Sequence, residues 1–493
     1  MNYESGLIGN HKRRTKIIAT LGPATDDPAV LEQVILAGAS VFRLNMSHGD
    51  SEEQLKRARL VRQVSQQLDR EVALLADLQG PKIRVERFAS GKVELAAGDA
   101  FTLDAEDAST PGTKERVGVS YPGLPNDVRQ GTVLLLDDGL ISLVVERVDG
   151  GKVHCKVEHG GTLRDRKGLN LKGGGLSITG LADHDIPHIE LAARMGVDYL
   201  AISFVSDGSD IERARDLLTE AGSDAALVAK IERTEAIDNL EEICDAADVI
   251  MVARGDLGVE IGDEELPGLQ KRIIRVALKH NRIVATATQM MQSMIENPVP
   301  TRAEVLDVAN AVIDGSDAVM LSAETAVGKH PVLVVESVNR ICLGAERHFE
   351  EQGIVTHLNV RFERIDQAIA MATMYMATNV SVQAIVALTE SGSTAQWLSR
   401  VRSSVPIYAV SRNDASRRRM NMLSDVYPVK LDTDSDDDDV VIQSALQKLW
   451  RVGALKAGDR CIVTMGDRVG KSGGTNTLRF IKLDEESRSL YAL

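Results

Sequence analysis

Two short apolar runs near the middle of this 493-residue chain end in charge. LVAKIER ends in Lys230 and Glu232, and VIMVARGD ends in Arg254, Gly255 and Asp256. Apolar runs bounded by turn residues fit strands buried on both faces. Lys230 and Glu232 stand two apart, so on a strand they share a side. A cation and a carboxylate together suit a metal held beside a polyanionic substrate; a strand-end ion pair is the simpler reading of this stretch alone. Glu232 and Asp256 are hard oxygen donors of the kind Mg²⁺ takes alongside substrate oxygens and water. Arg43 and Arg84 offer fixed bidentate donors for phosphate. Gly255 opens a turn where backbone N–H groups can approach an anion. Lys230 stands where it would stabilise charge on a transferred phosphoryl group or an enolate.

These residues need strands that hold them at one end. Eight β-rich runs recur with helical stretches between them: TKIIATLG from Thr15, VFRLNMS from Val41, VALLADLQ from Val72, YLAISF from Tyr199, LVAKIE from Leu227, VIMVARGD from Val249, RIVATAT from Arg282 and AVMLSAET from Ala318. DPAVLEQVILAGA reads as a helix opened at Asp27 or Pro28 and ending near Gly38. TRAEVLDVANAVIDG carries a helical stripe of Val305, Val308, Ala309 and Val312. Alternating buried strand and helix predicts an α/β fold with a parallel sheet, and eight units favour a closed (β/α)8 barrel over an open sheet. Sites in such barrels lie at the C-terminal strand ends. Those ends read Thr20 and Gly22; Arg43, Asn45, Ser47 and His48; Asp77, Lys82 and Arg84; Ser203; Lys230 and Glu232; Gly255 and Asp256; Thr288 and Gln289; Ser322 and Glu324. Water-facing strand ends are polar in any barrel. An apolar register that runs straight into cations and carboxylates on several strands points further, to a phosphate-and-metal site.

The rhythm breaks between the third and fourth runs. There KVELAAGDAFTL, TVLLLDDGLISLVVERV and GKVHCKVEHGG alternate with period two between turns, which predicts a small antiparallel β domain. Leaving from a C-terminal strand end, it would sit over the barrel mouth as a lid. After about residue 350 a helix, IDQAIAMATMYMATN, precedes the buried strands AIVALT, PIYAVS and RCIVTMG of a separate open α/β domain. The expected division is a barrel from residues 1–80 and 183–350, a lid from 81–182 and a C-terminal domain from 351–493. The acidic run 433–439 reads as a solvated loop that also caps the following helix.

Composition narrows the function classes. A net charge of −15 and 3% aromatics weigh against nucleic-acid and anionic-membrane partners. Cys155, Cys244, Cys342 and Cys461 form no CxxC, which argues against a zinc site or disulfide framework and fits a reducing cytosol. The basic cluster near the N-terminus has no apolar region after it, so no signal peptide is expected, and no apolar run approaches the roughly 18 residues of a membrane span. The expectation is a cytoplasmic protein.

At the level of motifs, LVAKIERTEAI, MVARGDLGVE, ATQMMQSMI, PTRAEVLDVANAVIDGSDAVMLSAETA, VFRLNMSHG and DDGLISL resemble segments of pyruvate kinases, and the resemblance covers nearly the whole chain. It implies a TIM-barrel A domain, an inserted B domain, a C domain and a homotetramer. It implies the glycolytic transfer of the phosphoryl group of phosphoenolpyruvate to ADP, giving pyruvate and ATP. By the same resemblance, Arg43 holds the transferring group, Lys230 stabilises the transition state, and Glu232 and Asp256 bind Mg²⁺, with Mn²⁺ as an alternative. Gly255, Asp256 and Thr288 contact the substrate carboxylate, and Thr288 is a candidate in the relay that protonates the enolate. Arg84, and Lys167 in DRKGLN, meet nucleotide phosphates when the lid closes, and His48 lies along the nucleotide.

One departure bears on cofactors. Many members of that family read D-T-K-G-P-E-I-R-T after the third strand and need K⁺. Here the segment runs Asp77, Leu78, Gln79, Gly80, Pro81, Lys82, Ile83, Arg84, Val85. Leu78 removes an oxygen ligand, and Lys82 brings a fixed ammonium that can stand in for K⁺. Activity without added K⁺ is therefore expected, with Asn45, Ser47 and Asp77 left as a residual monovalent-cation site; a solvated loop lysine is the bland reading of Lys82. In the C-terminal domain, TESGSTA offers Thr389, Ser391, Gly392, Ser393 and Thr394 at a helix start, and GDRVGKSGGTNT adds Arg468 and Lys471. The resemblance implies a sugar-phosphate effector there, though a plain strand-to-helix turn has the same look. Two other readings stand beside the kinase. One is a Mg²⁺-dependent pyruvate or phosphoenolpyruvate lyase or aldolase, which would need no nucleotide lid. The other is a sugar-phosphate sensor with an inactive barrel.

Overall fold

A period of two along buried strands decides where each of these side chains points. In a computed structural model, which describes residues 13–351, 362, 364–401, 403, 405–466 and 474–484, the chain opens with β1 (Lys16–Thr20), β2 (Val41–Asn45) and β3 (Ala73–Asp77). An inserted unit follows, with β4 (Lys92–Leu95), β5 (Ala100–Asp104), β6 (Arg116–Gly118), β7 (Val133–Leu136), β8 (Ile141–Asp149), β9 (Lys152–His159), β10 (Gly161–Arg164) and β11 (Leu169–Leu171). Then come β12 (Tyr199–Ile202), β13 (Ala226–Ile231), β14 (Val249–Ala253), β15 (Ile283–Ala287) and β16 (Ala318–Leu321). Strands β1–β3 and β12–β16 form a closed parallel barrel in the order β1-β16-β15-β14-β13-β12-β3-β2. The ring closes where Lys16 pairs with Ala318. All eight expected runs are its strands.

One parity of each barrel strand faces the surrounding helices. Leu227, Ala229 and Ile231 of β13 pack there with Ile17, Ala19, Leu74 and Ala76. The other parity fills the ring: Val228 clusters with Ile18, Val41, Leu75, Ala201 and Met251. Carried on to the C-terminal mouth, that inward parity delivers Thr20, Arg43, Asp77, Ser203, Lys230 and Glu232 to one place. The helices close as their end residues dictate. Asp27 caps Pro28–Ala37 by accepting from Ala29 N–H, and Gly38 ends it at φ 119°. Thr301 and Glu304 form a capping box on Arg302–Asp314, which buries Val308, Ala311 and Val312. The expected stripe is thus turned slightly, leaving Val305 and Ala309 half-buried.

The inserted unit has its own core, including Val85, Phe101, Leu103, Leu134, Leu143 and Val153. Its main sheet runs β11-β7-β8-β9-β5-β6, with β10 paired to β4. It is antiparallel as expected except for β5 and β6, which run parallel. The third sheet contains β17 (Ala384–Leu388), β18 (Ile407–Ser411), β19 (Val426–Lys430), β20 (Arg460–Gly466) and β21 (Thr475–Lys482), ordered β19-β18-β17-β20-β21. Strands β19 and β21 are additions to the sequence reading. Asp437 caps the helix Asp438–Arg451, as the acidic run suggested. This domain docks under the barrel. Arg400 pairs with buried Asp317 at 2.8 Å. Arg417, Arg418 and Arg419 reach Glu71, Asp198 and Asp224 in turn. All four cysteines are buried and free. Among the described residues no helix is long and apolar enough to cross a membrane.

Candidate active site

Lys230 is the centre of the charges at the barrel mouth. It is 9% exposed, and its Nζ lies 3.2 Å from Asp77 Oδ1 and 3.0 Å from Glu232 Oε1. Nζ also donates to Ser203 Oγ at 2.7 Å, and Ser203 Oγ donates to Leu78 O at 2.8 Å. Burial pulls the Lys230 ammonium down, but Asp77 and Glu232 more than restore it, so it is held above the usual lysine value. Burial works against the charge of Asp77, yet Lys230 and Arg43 outweigh it and hold that carboxyl below the usual range. Glu232 is pushed up by burial, with Asp256 and Asp77 adding to the effect against the pull of Lys230. Arg43 Nε donates to Asp77 Oδ2 at 2.6 Å and Nη1 to Thr20 Oγ1 at 3.2 Å, so the guanidinium is braced across three strands.

Glu232 follows β13 directly, and Asp256 lies in the first turn of the helix Arg254–Ile261 that follows the adjacent strand β14. Glu232 Oε2 accepts from Phe204 N–H at 2.8 Å. Among the described residues no group of three or more His, Cys, Asp or Glu side chains gathers as a metal cage. A pair of carboxylates suits a hard divalent cation, which completes its shell with substrate oxygens and water, rather than zinc. The residues present fit such an ion. Lys82 Nζ lies 2.7 Å from Asp256 Oδ1 in a partly exposed pair, so its ammonium faces a carboxylate at the barrel mouth. Leu78 is 1% exposed and packs outside the ring. Asn45 Oδ1 accepts from Ser47 N–H at 3.2 Å, while both oxygens of Asp77 already face cations.

Thr288 and Gln289 hold positive φ, 69° and 52°. Non-glycine residues in that region cost about 1–3 kcal/mol and persist where the surroundings enforce them. Here Thr288 Oγ1 donates to Ala287 O at 2.7 Å and accepts from Gly255 N–H at 2.8 Å. Arg254 donates to Thr288 O at 2.7 Å and grips Asp307 through Nη1 and Nη2 at 2.6 and 2.8 Å. Arg254 is thus a brace for the Thr288 backbone. Its partner Asp307 sits mid-helix without a local motif and went unnoticed in the sequence.

Arg84 and Lys167 meet on the inserted unit. Arg84 bridges Gly168 in an antiparallel pair, and Arg84 Nη1 donates to Arg166 O at 3.0 Å. Lys167 Nζ lies 2.7 Å from Asp137 Oδ1. His48 is exposed after β2. In the C-terminal domain Gly392, at φ 88°, precedes the helix Ser393–Arg400, and its N–H donates to Thr389 Oγ1 at 3.0 Å. Thr394 is buried with its hydroxyl on Thr475 at 2.6 Å. Ser391 and Ser393 flank Gly392 in the same turn. The loop bearing Arg468 and Lys471 lies outside the described residues.

A barrel mouth that gathers Arg43, Lys230 and carboxylates, an inserted lid-like β unit and a third α/β domain together have the architecture of a barrel phosphotransferase. Comparison with known proteins makes it particular. The family model for the pyruvate kinase barrel domain matches residues 12–335, and that for the pyruvate kinase alpha/beta domain matches residues 367–481. Pyruvate kinase II of Salmonella typhimurium is 51% identical over 476 residues, covering 96% of this chain and 99% of that protein. The pyruvate kinase of Haemophilus influenzae is 48% identical over 469 residues, 94% of this chain and 97% of the relative. That of Geobacillus stearothermophilus is 41% identical over 475 residues, 95% of this chain and 80% of the relative. The chain belongs to the pyruvate kinase family, whose enzymes are phosphotransferases acting on phosphoenolpyruvate and ADP.

Proposed function

We propose that this chain is a cytoplasmic, Mg²⁺-dependent enzyme that carries out the last phosphoryl transfer of glycolysis without needing K⁺. The observation that carries this reading is the Lys230 ammonium held between Asp77 and Glu232, with Arg43 braced beside it. A β-phosphate oxygen of ADP attacks phosphorus, the bond from phosphorus to the enol oxygen breaks, and the enolate of pyruvate is left. Arg43 and Lys230 face the charge that spreads over the phosphoryl oxygens and the enolate. Thr288 and the Gly255–Asp256 turn orient the substrate carboxylate, and a proton reaches the enolate carbon from the Thr288 side. Glu232 and Asp256 would hold Mg²⁺ (or Mn²⁺), which supplies charge neutralisation for the phosphates. Lys82 contributes the monovalent charge, with Asn45, Ser47 and Asp77 as a weak residual cation site. Arg84, Lys167 and His48 serve the nucleotide.

In this reading residues 1–80 and 183–350 are the barrel, 81–182 the lid and 351–493 the effector domain. A sugar phosphate would bind at Thr389, Ser391, Gly392, Ser393 and Thr394. Two groups of exposed apolar side chains on different domains support a tetramer, since two self-complementary contacts would suffice for dihedral symmetry. One carries Val299, Leu306, Ile313 and Leu333 on the barrel, and the other Ile365, Tyr375 and Phe480 on the C-terminal domain. The deciding assay follows pyruvate from phosphoenolpyruvate, ADP and Mg²⁺ with tetramethylammonium as the monovalent cation. K⁺ and sugar phosphates are then added. Full turnover without K⁺ is expected. Turnover only with K⁺ would remove the role given to Lys82, and turnover without ADP would favour a lyase.

A further inference from the structure

We infer that Arg233 is a positioning residue that fixes the lid's return segment to the barrel rim and so sets where Arg84 and Lys167 stand over the mouth. The inference rests on the reading of those two residues as nucleotide ligands. Arg233 follows Glu232 directly and has the opposite parity, so it leaves the ring interior and turns to the chain coming back from the lid. It is 4% exposed. Nη2 donates to Leu176 O at 2.6 Å, and Nη1 donates to Ile178 O at 2.8 Å and to Ser206 Oγ at 2.7 Å. Nε faces Glu235 Oε2 at 3.2 Å.

The next two residues grip the same segment. Glu235 Oε1 accepts from Gly175 N–H at 2.6 Å. Thr234 N–H donates to Glu260 Oε2 at 3.1 Å, and Glu260 O accepts from Gly173 N–H at 2.8 Å. Between the clamp and β11 lie Gly173, Gly174 and Gly175 at φ 88°, 78° and 104°. A Cβ on Gly174 would stand 2.8 Å from Thr234 Cβ. Three left-handed glycines form the pivot, and the carbonyls gripped by Arg233 form its fixed side. The guanidinium spreads these contacts over Nη1 and Nη2 in a fixed plane, whereas a lysine ammonium would have to meet the same acceptors from a single flexible point. Glu232 and the clamp are contiguous in sequence, so one tetrapeptide carries a candidate metal ligand and the lid anchor.

The test measures backbone amide exchange over residues 173–180 together with separate KM values for ADP and phosphoenolpyruvate, in the full-length protein and in Arg233→Met and Arg233→Lys. Arg233→Met is expected to exchange faster in that segment alone and to raise the ADP KM on the order of tenfold, with the phosphoenolpyruvate KM within about twofold. Arg233→Lys should fall between. If Arg233→Met does not fold, Glu235→Gln, which keeps the carbonyl contacts, should show the same pattern in weaker form. Unchanged exchange over 173–180, or both KM values rising together with a general loss of protection, would overturn the inference. Wild-type turnover is the control. Its absence would fault the functional reading, while the exchange data would still judge the clamp.

Discussion

Lys230 neutralises two buried carboxylates and, in the proposed mechanism, faces the reacting atoms, so removing it has two separable effects. Lys230→Met should lower kcat by at least about 10²–10³-fold, the scale of a lost transition-state donor. It should also lower the unfolding free energy by about 3–5 kcal/mol, because buried Glu232 loses its cation and Asp77 keeps only Arg43. Steady-state rates and urea unfolding separate the two. Lys82 is a milder case. Its pair with Asp256 is partly exposed, so Lys82→Gln should fold normally and acquire a requirement for K⁺, read from turnover in tetramethylammonium against K⁺. Glu260 gives a pH signature, since burial pushes its carboxyl from 4.5 up to about 7. Between those values the folded state binds a proton that the unfolded state has released, so stability falls as pH rises through that window. Glu260→Gln removes this slope. Its advantage over wild type in urea should be absent near pH 4.5 and reach about 1–3 kcal/mol at pH 8. Lys230, Glu232 and Asp77 were legible because strand parity alone places them. Arg233 and Asp307 were not, because the carbonyls that Arg233 holds lie 55 and 57 residues away and Arg254 lies 53 residues from Asp307, so they are met only when the lid returns or a barrel helix packs.

At the level of elements, the legible parts are those whose pattern is local. The eight barrel strands are continuous apolar runs, and the helix at Pro28–Ala37 carries its cap and stop in sequence. Strand β19 escaped because VYPVK contains Pro428, which argues against a central strand; it is in fact the sheet's edge, where a missing N–H is tolerated. Strand β21 escaped because TNTLRFIK is polar and its Phe480 is exposed. The parallel pairing of β5 with β6 follows from how the lid sheet curls, which alternation does not encode. The brace between Arg254 and Thr288 makes a prediction at this scale. Arg254→Lys loses the two-point grip on Asp307 and relaxes the left-handed turn after β15. The expected result is a fall in kcat of about tenfold or more with KM for ADP little changed, checked by steady-state kinetics.

For the whole molecule, the two apolar faces should behave independently. In the proposed tetramer of 53.4 kDa chains, Leu306→Asp and Ile365→Asp are each expected to give dimers and the double variant monomers; sedimentation velocity reads all three. The domain beneath the barrel is fastened by charges from three consecutive arginines, which no sequence pattern ties to Glu71, Asp198 and Asp224 in advance. One consequence concerns vectorial synthesis. The barrel cannot close until Ala318 emerges to pair with Lys16, whereas every pairing of the inserted unit, its isolated bridges from Arg84 onward included, is available once Leu171 has emerged. On the ribosome the second unit to be translated is thus the first able to complete its fold, while β1, β2 and β3 wait with apolar flanks uncovered. Between the emergence of Leu171 and that of Leu321 the growing chain carries a finished lid over an unfinished vessel, and those three strands are where a holding chaperone would be needed.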